Sequence, residues 1–287
     1  MGRTQRTRYT SGVTPADPHA ALGRLLMGLV AAATVAAVAY RLDTLTVRGA
    51  LAATAVGGLA VAGGWDWGGL LIAFFVASAA LSRVGHVRKE FLAGGLLAKG
   101  GPRDAAQVLA NGSAFALCAA GYALQQSPLW YAAGAGGLAA ATADTWGTET
   151  GMLSGTPPRS IVSGQVVPPG TSGGITIAGT LASIAGALFI AIAARAFGWP
   201  AAAGWAALVG GFVGATSDSL IGATLQARMW CDSCGAPTER AVHSCGTPTR
   251  MEGGIVWLGN DAVNVAATTC GAVIGVATAL ALSLGGS

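Results

Sequence analysis

Two carboxylates stand in a stretch that otherwise has the composition of a membrane span. ATADTWGTETG (141–151) contains Asp144 and Glu149, and a third carboxylate, Asp218, lies in the apolar stretch GGFVGATSDSLIGA (210–223). A charged side chain at the centre of a membrane helix costs roughly 2.5–3.5 kcal/mol, so such residues face the bundle interior and usually mark a functional site. The alternative is that each Asp only hydrogen-bonds a neighbouring helix or pairs with an arginine.

Further oxygen ligands open the last apolar stretch, WLGNDAVN (257–264). On a helix Asn260 and Asn264 lie one turn apart on one face, with Asp261 beside them. Carboxylate and amide oxygens suit a hard cation such as Mg²⁺. We predict that Asp144, Asp218 and Asp261 bind magnesium, although Asn and Asp are also common helix N-caps.

A glycine-rich segment, PPGTSGGIT (168–176), precedes another apolar stretch. Glycines, hydroxyls and a following helix N-terminus can bind phosphate through free backbone N–H groups. The segment is no Walker A loop, because no Gly-Lys-Ser/Thr follows, and it would also serve as a flexible connector. The predicted phosphate-binding residues are Gly170, Thr171, Ser172, Gly173 and Gly174.

Cationic side chains lie in AKGGPRDAAQVLANGS (98–113), where Lys99 and Arg103 precede a helix carrying Asn111. These residues are suited to neutralising and binding a phosphorylated ligand, and a solvated helix end is the alternative. A second group of polar residues is interpreted as a charged loop near anionic lipid headgroups. It comprises Arg83, His86, Arg88 and Lys89.

Four further residues have the spacing of a zinc site. Cys231 and Cys234 form a Cys-x2-Cys pair, and His243 and Cys245 follow as His-x-Cys. Three thiolates and one imidazole would complete a tetrahedral shell, which favours a structural ion over a catalytic one. A redox pair or unliganded thiols would explain the pattern too.

The composition defines the elements that position these groups. With 53% apolar residues, 45 Gly and a mean hydropathy of +0.58, the chain is an integral membrane protein. Small residues and non-alternating runs predict an all-α polytopic bundle of about eight transmembrane helices rather than a barrel. We expect a disordered polar tail (1–20), then one transmembrane domain (21–287) with a Cys/His loop at 227–253, surrounded by lipid and binding no nucleic acid. The apolar runs are 21–40, 49–64, 68–82, 105–124, 129–147, 173–197, 201–226 and 254–284.

The sequence also contains an internal repeat. GGLAAATADTWGTE (136–149) aligns with residues 210–223, sharing Gly-Gly and then Ala-Thr-x-Asp. GGITIAGT (173–180) aligns in the same way with GGIVWLGN (253–260). We therefore predict a two-helix duplication, about 130–200 and 204–284, which puts its two Asp residues at one membrane depth around an axis along the membrane normal.

Positive charge predicts the orientation of the bundle. Four connections share one side in an eight-helix count and hold eleven of the sixteen Lys and Arg: 41–48, 83–104, 151–172 and 227–253. That side is expected to face the cytoplasm, in the cell inner membrane. Four Arg at or before residue 24 fall on the opposite side, and a first helix that does not span would remove this conflict.

Several motifs in succession resemble those of one membrane family, over about residues 45 to 284. They are KGGPRDAAQVLANG, ATADTWGTETG, GTSGGITIAGTLAS, ATSDSLIGATLQ and the Cys-Cys-His-Cys loop leading to GGIVWLGNDAVN. The family contains plant phytyl-phosphate kinase and animal transmembrane protein nineteen. The resemblance implies an NTP-dependent kinase that converts an isoprenoid monophosphate, phytyl phosphate in plants, to the diphosphate. The acidic positions show no departure from the family pattern.

Residues and resemblance together predict a magnesium-dependent phosphotransferase with CTP or another nucleotide as donor. Asp144, Glu149, Asp218 and Asp261, with Asn260 and Asn264, would hold Mg²⁺ and its phosphates. Lys99 and Arg103 would neutralise charge, and Asn111 and the glycine-rich segment would bind the nucleotide. The prenyl chain is expected between the glycine-faced helices.

Two rival functions remain at this point. A lipid or ion transporter would use the duplicated Asp helices as its midplane site, with helices broken at mid-membrane. A CDP-alcohol or prenyl-type transferase would also use Asp and Mg²⁺, but the sequence has no DxxD cluster. Polar loops that flank both Asp helices on one side favour the kinase.

Overall fold

The protein is described by a computed structural model that covers residues 14–15, 17–93 and 101–285. Most of these residues are helical, and the connections between the helices carry short strands. The helices are α1 (Pro18–Arg41), α2 (Val47–Gly63), α3 (Trp65–Arg83), α4 (His86–Ala93), α5 (Ala105–Leu124), α6 (Pro128–Met152), α7 (Ile177–Ala196), α8 (Ala201–Thr224) and α9 (Asn260–Gly285).

Among the described residues, six helices are long and apolar enough to cross a membrane: α1, α3, α5, α7, α8 and α9. Helix α2 is apolar but only 17 residues long. Helix α6 has 25 residues, but Gly, Thr and two carboxylates lower its mean hydropathy. The polytopic helical class is therefore confirmed, whereas the count of eight spans is not.

Helix α1 begins inside the predicted polar tail. The Asp17 side chain accepts hydrogen bonds from the backbone N–H groups of His19 and Ala20, and Pro18 occupies the first helical position. These are standard signals of a helix start. Upstream, strand β1 (Thr14–Pro15) pairs with β2 (Gln125–Gln126). The prediction of disorder for the remaining tail lies outside the described residues.

Glycine backbones join α6, α8 and α9 in one line of contact, here called the glycine seam (Gly136, Gly210 and Gly271). A Cβ atom at Gly136 would clash with the carbonyl oxygen of Gly271, and one at Gly210 would lie 2.5 Å from the same oxygen. Only glycine allows this approach, as in other membrane helix interfaces. The seam leaves no room for a further group between these three glycines, and the place of a prenyl chain stays a prediction.

The two copies of the repeat face each other in register. Gly210 lies against Gly136 and Gly214 against Ala140, at the sequence offset that also separates Asp218 from Asp144. The pairs α6–α7 and α8–α9 each run helix, polar connection, helix. Because the offset is constant along the interface, both Asp residues point to the same end of the bundle.

Aromatic side chains fill the core at the other end. Trp67 lies 4.6 Å from Trp199 and 5.3 Å from Tyr131 between ring centroids. The indole N–H of Trp199 donates to Asp66 Oδ2 at 2.7 Å. This cluster fixes α3, α6 and the α7–α8 connection together.

Two small sheets shape the connections at the Asp end. Strand β3 (Arg159–Ser160) pairs with β4 (Gly174–Ile175), which closes the glycine-rich segment at its base. Between α8 and α9, β5 (Arg228–Cys231) pairs with both β6 (Ala236–Thr238) and β7 (Arg250–Gly253). The sequence predicted only a loop here, because strands this short carry no clear alternation.

Candidate functional site

A cavity of about 1280 Å³ lies at the Asp end of the bundle, where the connections after α1, α3, α6 and α8 converge. Every predicted catalytic and binding residue that the structure describes lines it. Lys99 lies outside the described residues. The lining set includes Asp144, Glu149, Asp218, Asp261, Arg103, Asn111, Asn260, Asn264, Gly170, Thr171, Ser172, Gly173 and Gly174.

The two repeated carboxylates form the floor of the cavity. Asp144 is on α6 and Asp218 on α8, each within the last turns of its helix. The Oδ2 atom of Asp218 is buried and has no hydrogen-bond partner among the described residues. Buried polar atoms are normally satisfied, so this oxygen calls for a ligand such as a cation.

Helix α9 begins at the cavity wall. Asn260 is its first residue, Asp261 lies in its first turn, and Asn264 is buried one turn later. A second acceptor without a partner in the described part of the chain is Asn111 Oδ1, whose amide nitrogen donates to the Gln107 carbonyl at 2.9 Å. Carboxylate and amide oxygens from α5, α6, α8 and α9 thus meet in one space, a donor set that fits Mg²⁺.

Lys89 is a buried cavity residue, and its interpretation as part of a lipid-facing loop is wrong. Its Nζ atom lies 2.5 Å from Glu149 Oε2 and also donates to the carbonyls of Leu81 and Ser82. Helix α4 turns Lys89 inward while Val87 and Phe91, each more than three-quarters exposed, face outward. The apolar pair at i and i+4 defines one face of α4. Which face packs on the bundle depends on tertiary contacts that the local sequence does not specify.

Arg103 occupies the same wall of the cavity. Its guanidinium lies 3.5 Å from Ser82 Oγ, and its backbone exchanges hydrogen bonds with Thr44 and Thr46. Burial lowers the pKa of Arg103, and the negative charge of Glu149 opposes this shift. Asp104 and Gln107 cap helix α5 reciprocally.

The glycine-rich loop (168–176) covers one side of the cavity. Gly170 and Gly173 have positive φ angles of 86° and 75°, which favour glycine. A Cβ at Gly173 would lie 2.6 Å from the carbonyl oxygen of Ser219, so the loop lies against the end of α8. Thr176 closes the loop by capping helix α7.

Glu239, which the sequence did not single out, holds this loop. The hydroxyl of Ser172 donates to Glu239 Oε1 at 2.6 Å, and the side-chain amide of Gln226 donates to the same oxygen at 2.8 Å. Glu239 directly follows β6, so the small sheet and the glycine-rich loop are connected. In a polar segment of this kind no contrast in hydropathy marks such a residue.

Comparison with known proteins identifies the family. Residues 30–272 match the family described as Integral membrane protein DUF92. The chain belongs to the DUF92 family. It is 30% identical over 273 residues to Protein PGR of Arabidopsis thaliana, covering 84% of this chain and 91% of the relative. It is 32% identical over 210 residues to an uncharacterised membrane protein of Methanocaldococcus jannaschii, covering 72% and 74%.

A shorter match, 32% identical over 168 residues, is to an uncharacterised membrane protein of Synechocystis, covering 57% of this chain and 64% of the relative. No solved structure matches the chain. The DUF92 match contains every residue that lines the cavity. The membrane family indicated by the sequence motifs is therefore confirmed.

In this DUF92 protein the Cys/His residues cluster outside the cavity. The ligand atoms of Cys231, Cys234, His243 and Cys245 all lie within 4.8 Å of one another. Hydrogen bonding with Thr247 and His243 lowers the pKa of the Cys245 thiol to about 5. Hydrogen bonding with Cys245 raises the pKa of the Cys234 thiol to about 11. Each of the five cysteines is free.

Proposed function

We propose that this protein is a membrane-embedded kinase that transfers a phosphoryl group from an NTP to an isoprenoid monophosphate, giving the diphosphate. The observation that carries this proposal is the cavity itself. It gathers carboxylates, amide oxygens, a glycine-rich loop and cationic side chains at the helix ends. Phosphoryl transfer depends mainly on positioning and on charge stabilisation, which such a set supplies.

The acidic residues have the role of holding a magnesium–nucleotide complex. Asp144, Asp218 and Asp261 would bind the cation, with Asn260 and Asn264 beside them, and the unpartnered Asp218 Oδ2 supports this assignment. When bound, Mg²⁺ neutralises charge on the phosphates. The N–H groups of Thr171 and Gly174 donate to the carbonyls of Pro168 and Thr171 within the loop, so the backbone N–H groups of Gly170, Ser172 and Gly173 would bind phosphate oxygens.

The acceptor needs no strong general base, because a phosphate monoester is already ionised at neutral pH. One of its oxygens attacks the γ-phosphorus, the bond from that phosphorus to the bridging oxygen breaks, and the nucleoside diphosphate leaves. Arg103 supplies positive charge on the cavity wall. Lys89 holds Glu149 in place through their ion pair.

A path for the prenyl chain runs between α7 and α8. The cavity extends along these helices past Thr180, Ser183 and Thr216 to Phe212, which is 41% exposed on the outer surface of the bundle. We propose that the chain leaves the cavity there, so the phosphate stays among polar groups while the tail lies in lipid.

The proposal places the cavity at the cytoplasmic face of the inner membrane, where nucleotides are available. The positive charge of the four connections at that end supports this orientation. The alternative of a lipid or ion transporter expects a site at broken helices in mid-membrane. Helices α6, α8 and α9 each continue without a break, and their carboxylates lie near the helix ends, which favours the enzyme.

The test is a kinase assay on protein purified in detergent. It is incubated with Mg²⁺, with CTP, UTP, GTP or ATP, and with phytyl or geranylgeranyl monophosphate, and the lipid is followed by mass spectrometry. We expect the diphosphate with at least one nucleotide and no diphosphate without Mg²⁺. Absence of product with every pair, from protein that elutes as a folded, monodisperse species, would contradict the proposal.

A further inference from the structure

The cysteine-rich sheet between α8 and α9 plays no part in the chemistry above. We propose that Cys231, Cys234, His243 and Cys245 bind one structural zinc ion, and that the zinc-bound sheet orders the glycine-rich loop through Glu239. The metal site is independent of the proposed kinase activity. Only the importance of the loop for phosphate binding depends on it.

The distances within the cluster are close to those of a tetrahedral zinc shell. Cys231 Sγ lies 3.6 Å from Cys245 Sγ, and His243 Nδ1 lies 3.2 Å from Cys245 Sγ. Sulfur ligands at about 2.3 Å from a shared ion are separated by about 3.8 Å in a tetrahedron. Small shifts of side chains are therefore enough to admit the ion.

The backbone is folded to present all four side chains at one point. Cys231 ends strand β5, and Cys234 lies in the turn to β6, followed by Gly235 with a positive φ of 59°. His243 and Cys245 come from the β6–β7 connection, where Gly246, with a φ of 83°, donates its N–H to the His243 carbonyl. Two tight turns thus bring together the end of β5, the β5–β6 turn and the β6–β7 connection.

The ligand chemistry favours zinc over the alternatives. Thiolates and imidazole select a soft or borderline ion, whereas Mg²⁺ takes oxygen ligands. One disulfide would leave the third cysteine and His243 unused in the same cluster. Three thiolates and a neutral imidazole use every member, and zinc binding releases the thiol protons to solvent.

The sheet has little else to stabilise it. Between residues 225 and 259 the buried hydrophobic residues among those described are Cys231 and Leu258. The strands are only three or four residues long. Units with so small a core usually need a metal or disulfides to fold stably.

Glu239 connects the sheet to the glycine-rich loop on the cavity wall. Cys231 of β5 pairs with Ala236 of β6, and β6 leads directly to Glu239. Glu239 Oε1 accepts hydrogen bonds from Ser172 and from Gln226. Loss of the ion would loosen the hairpin and release Ser172, so the metal would control the order of a loop on the cavity wall.

The first experiment measures zinc by mass spectrometry in protein purified under reducing conditions without chelator. We expect about one zinc per chain, a loss of most of it in Cys234→Ser, and no loss in the matched control Cys270→Ala, whose residue lies on α9. Release of zinc by a mercurial reagent, followed with a chromogenic chelator, tests the wild type should Cys234→Ser fail to fold. Folded, reduced protein that carries no zinc, even after incubation with zinc chloride, would overturn the site.

The second experiment measures backbone hydrogen exchange of residues 168–176 without substrates. We expect exchange at least about tenfold faster after zinc removal and in Glu239→Ala, corresponding to about 1.4 kcal/mol of lost protection. Glu239→Gln, which keeps an acceptor oxygen, should restore slow exchange. Unchanged exchange in both the zinc-free protein and Glu239→Ala would overturn the link to the loop, whatever the kinase assay gives.

Discussion

Asp144 and Asp218 occupy equivalent positions of α6 and α8 and line one cavity. Replacing either by Asn removes one negative charge and keeps the shape, so we expect turnover to fall at least about 100-fold without loss of membrane insertion. The measurement is the diphosphate assay with each purified variant. Asp66→Asn is the control, because its residue lies in the aromatic cluster at the other end and Asn still accepts from Trp199. Normal turnover in both cavity variants would remove these carboxylates from the mechanism.

The ion pair between Lys89 and Glu149 is expected to stabilise the bundle. Lys89→Met removes the direct partner of the Glu149 carboxylate and leaves it only the more distant charge of Arg103. Loss of one partner costs about 3–5 kcal/mol for a fully buried pair. Since Glu149 is 22% exposed, we expect the lower end of that range. Thermal unfolding in detergent should show a lower midpoint.

The double variant Lys89→Met/Glu149→Leu tests the origin of that loss. It removes both charges and should recover part of the stability, because no unpaired carboxylate remains. A midpoint as low as that of Lys89→Met would show that the pair is not the cause.

At the residue scale, a cavity residue could be predicted only where its polarity differed from that of its neighbours in the sequence. Asp144 and Asp218 are conspicuous because they interrupt apolar stretches, and the structure brings both to the cavity. Lys89 and Glu239 lie in polar segments, where a buried residue has the same composition around it as an exposed one. Their contacts depend on how α4 and the small sheet pack, which the local sequence does not specify.

The extension of the cavity along α7 and α8 gives a prediction at the element scale. Thr216→Trp would fill the part of the cavity near Phe212. We expect the KM for the isoprenoid monophosphate to rise about tenfold and the KM for the nucleotide to stay within about twofold. This is the result expected when a mutation removes uniform binding of one substrate. Steady-state kinetics with both substrates measures this. Val273→Trp on α9 is the control, because Val273 is 62% exposed and lies outside the cavity lining. Equal increases for both substrates in Thr216→Trp would contradict the path.

Two apolar runs of the sequence begin before the helices they predicted, because their first residues form turns and strands instead. The run 254–284 begins before α9, since Ile255, Val256 and Trp257 form the turn that follows β7. The run 173–197 likewise precedes α7, because Gly174 and Ile175 form strand β4 and Thr176 is the cap. Hydropathy shows which residues are apolar. It does not show which of them form strands, because a strand depends on hydrogen bonds to a partner that is distant in the sequence.

At the scale of the molecule, the order of the long helices predicts on which side of the membrane helix α9 ends. Helix α9 starts at the cavity, so the C-terminal end of α9 lies at the opposite side of the bundle. With the cavity in the cytoplasm, alkaline phosphatase fused after the last residue should be active, and fluorescent protein fused there should be dark. A fluorescent protein fused after Ser163, in the connection that follows α6, should be bright. The reverse pattern would place the cavity outside.

The sequence predicted the equivalence of the two repeated helices but not which helices contact each other. The alignment of Gly136 with Gly210 foretold two equivalent helices at one depth, and the structure packs them directly together. The position of α4 and the aromatic cluster were not predictable, since each depends on contacts between distant segments.

The glycine seam also determines which parts of the protein are able to move. Backbones in direct contact cannot slide past one another without steric overlap, so we expect α6, α8 and α9 to move as a single body. We therefore expect the separation of Asp144 and Asp218 to stay the same when a ligand binds. For the proposed kinase, opening and closing would then be confined to the connections over the cavity, and we expect the rate of loop motion, rather than of helix motion, to limit substrate exchange.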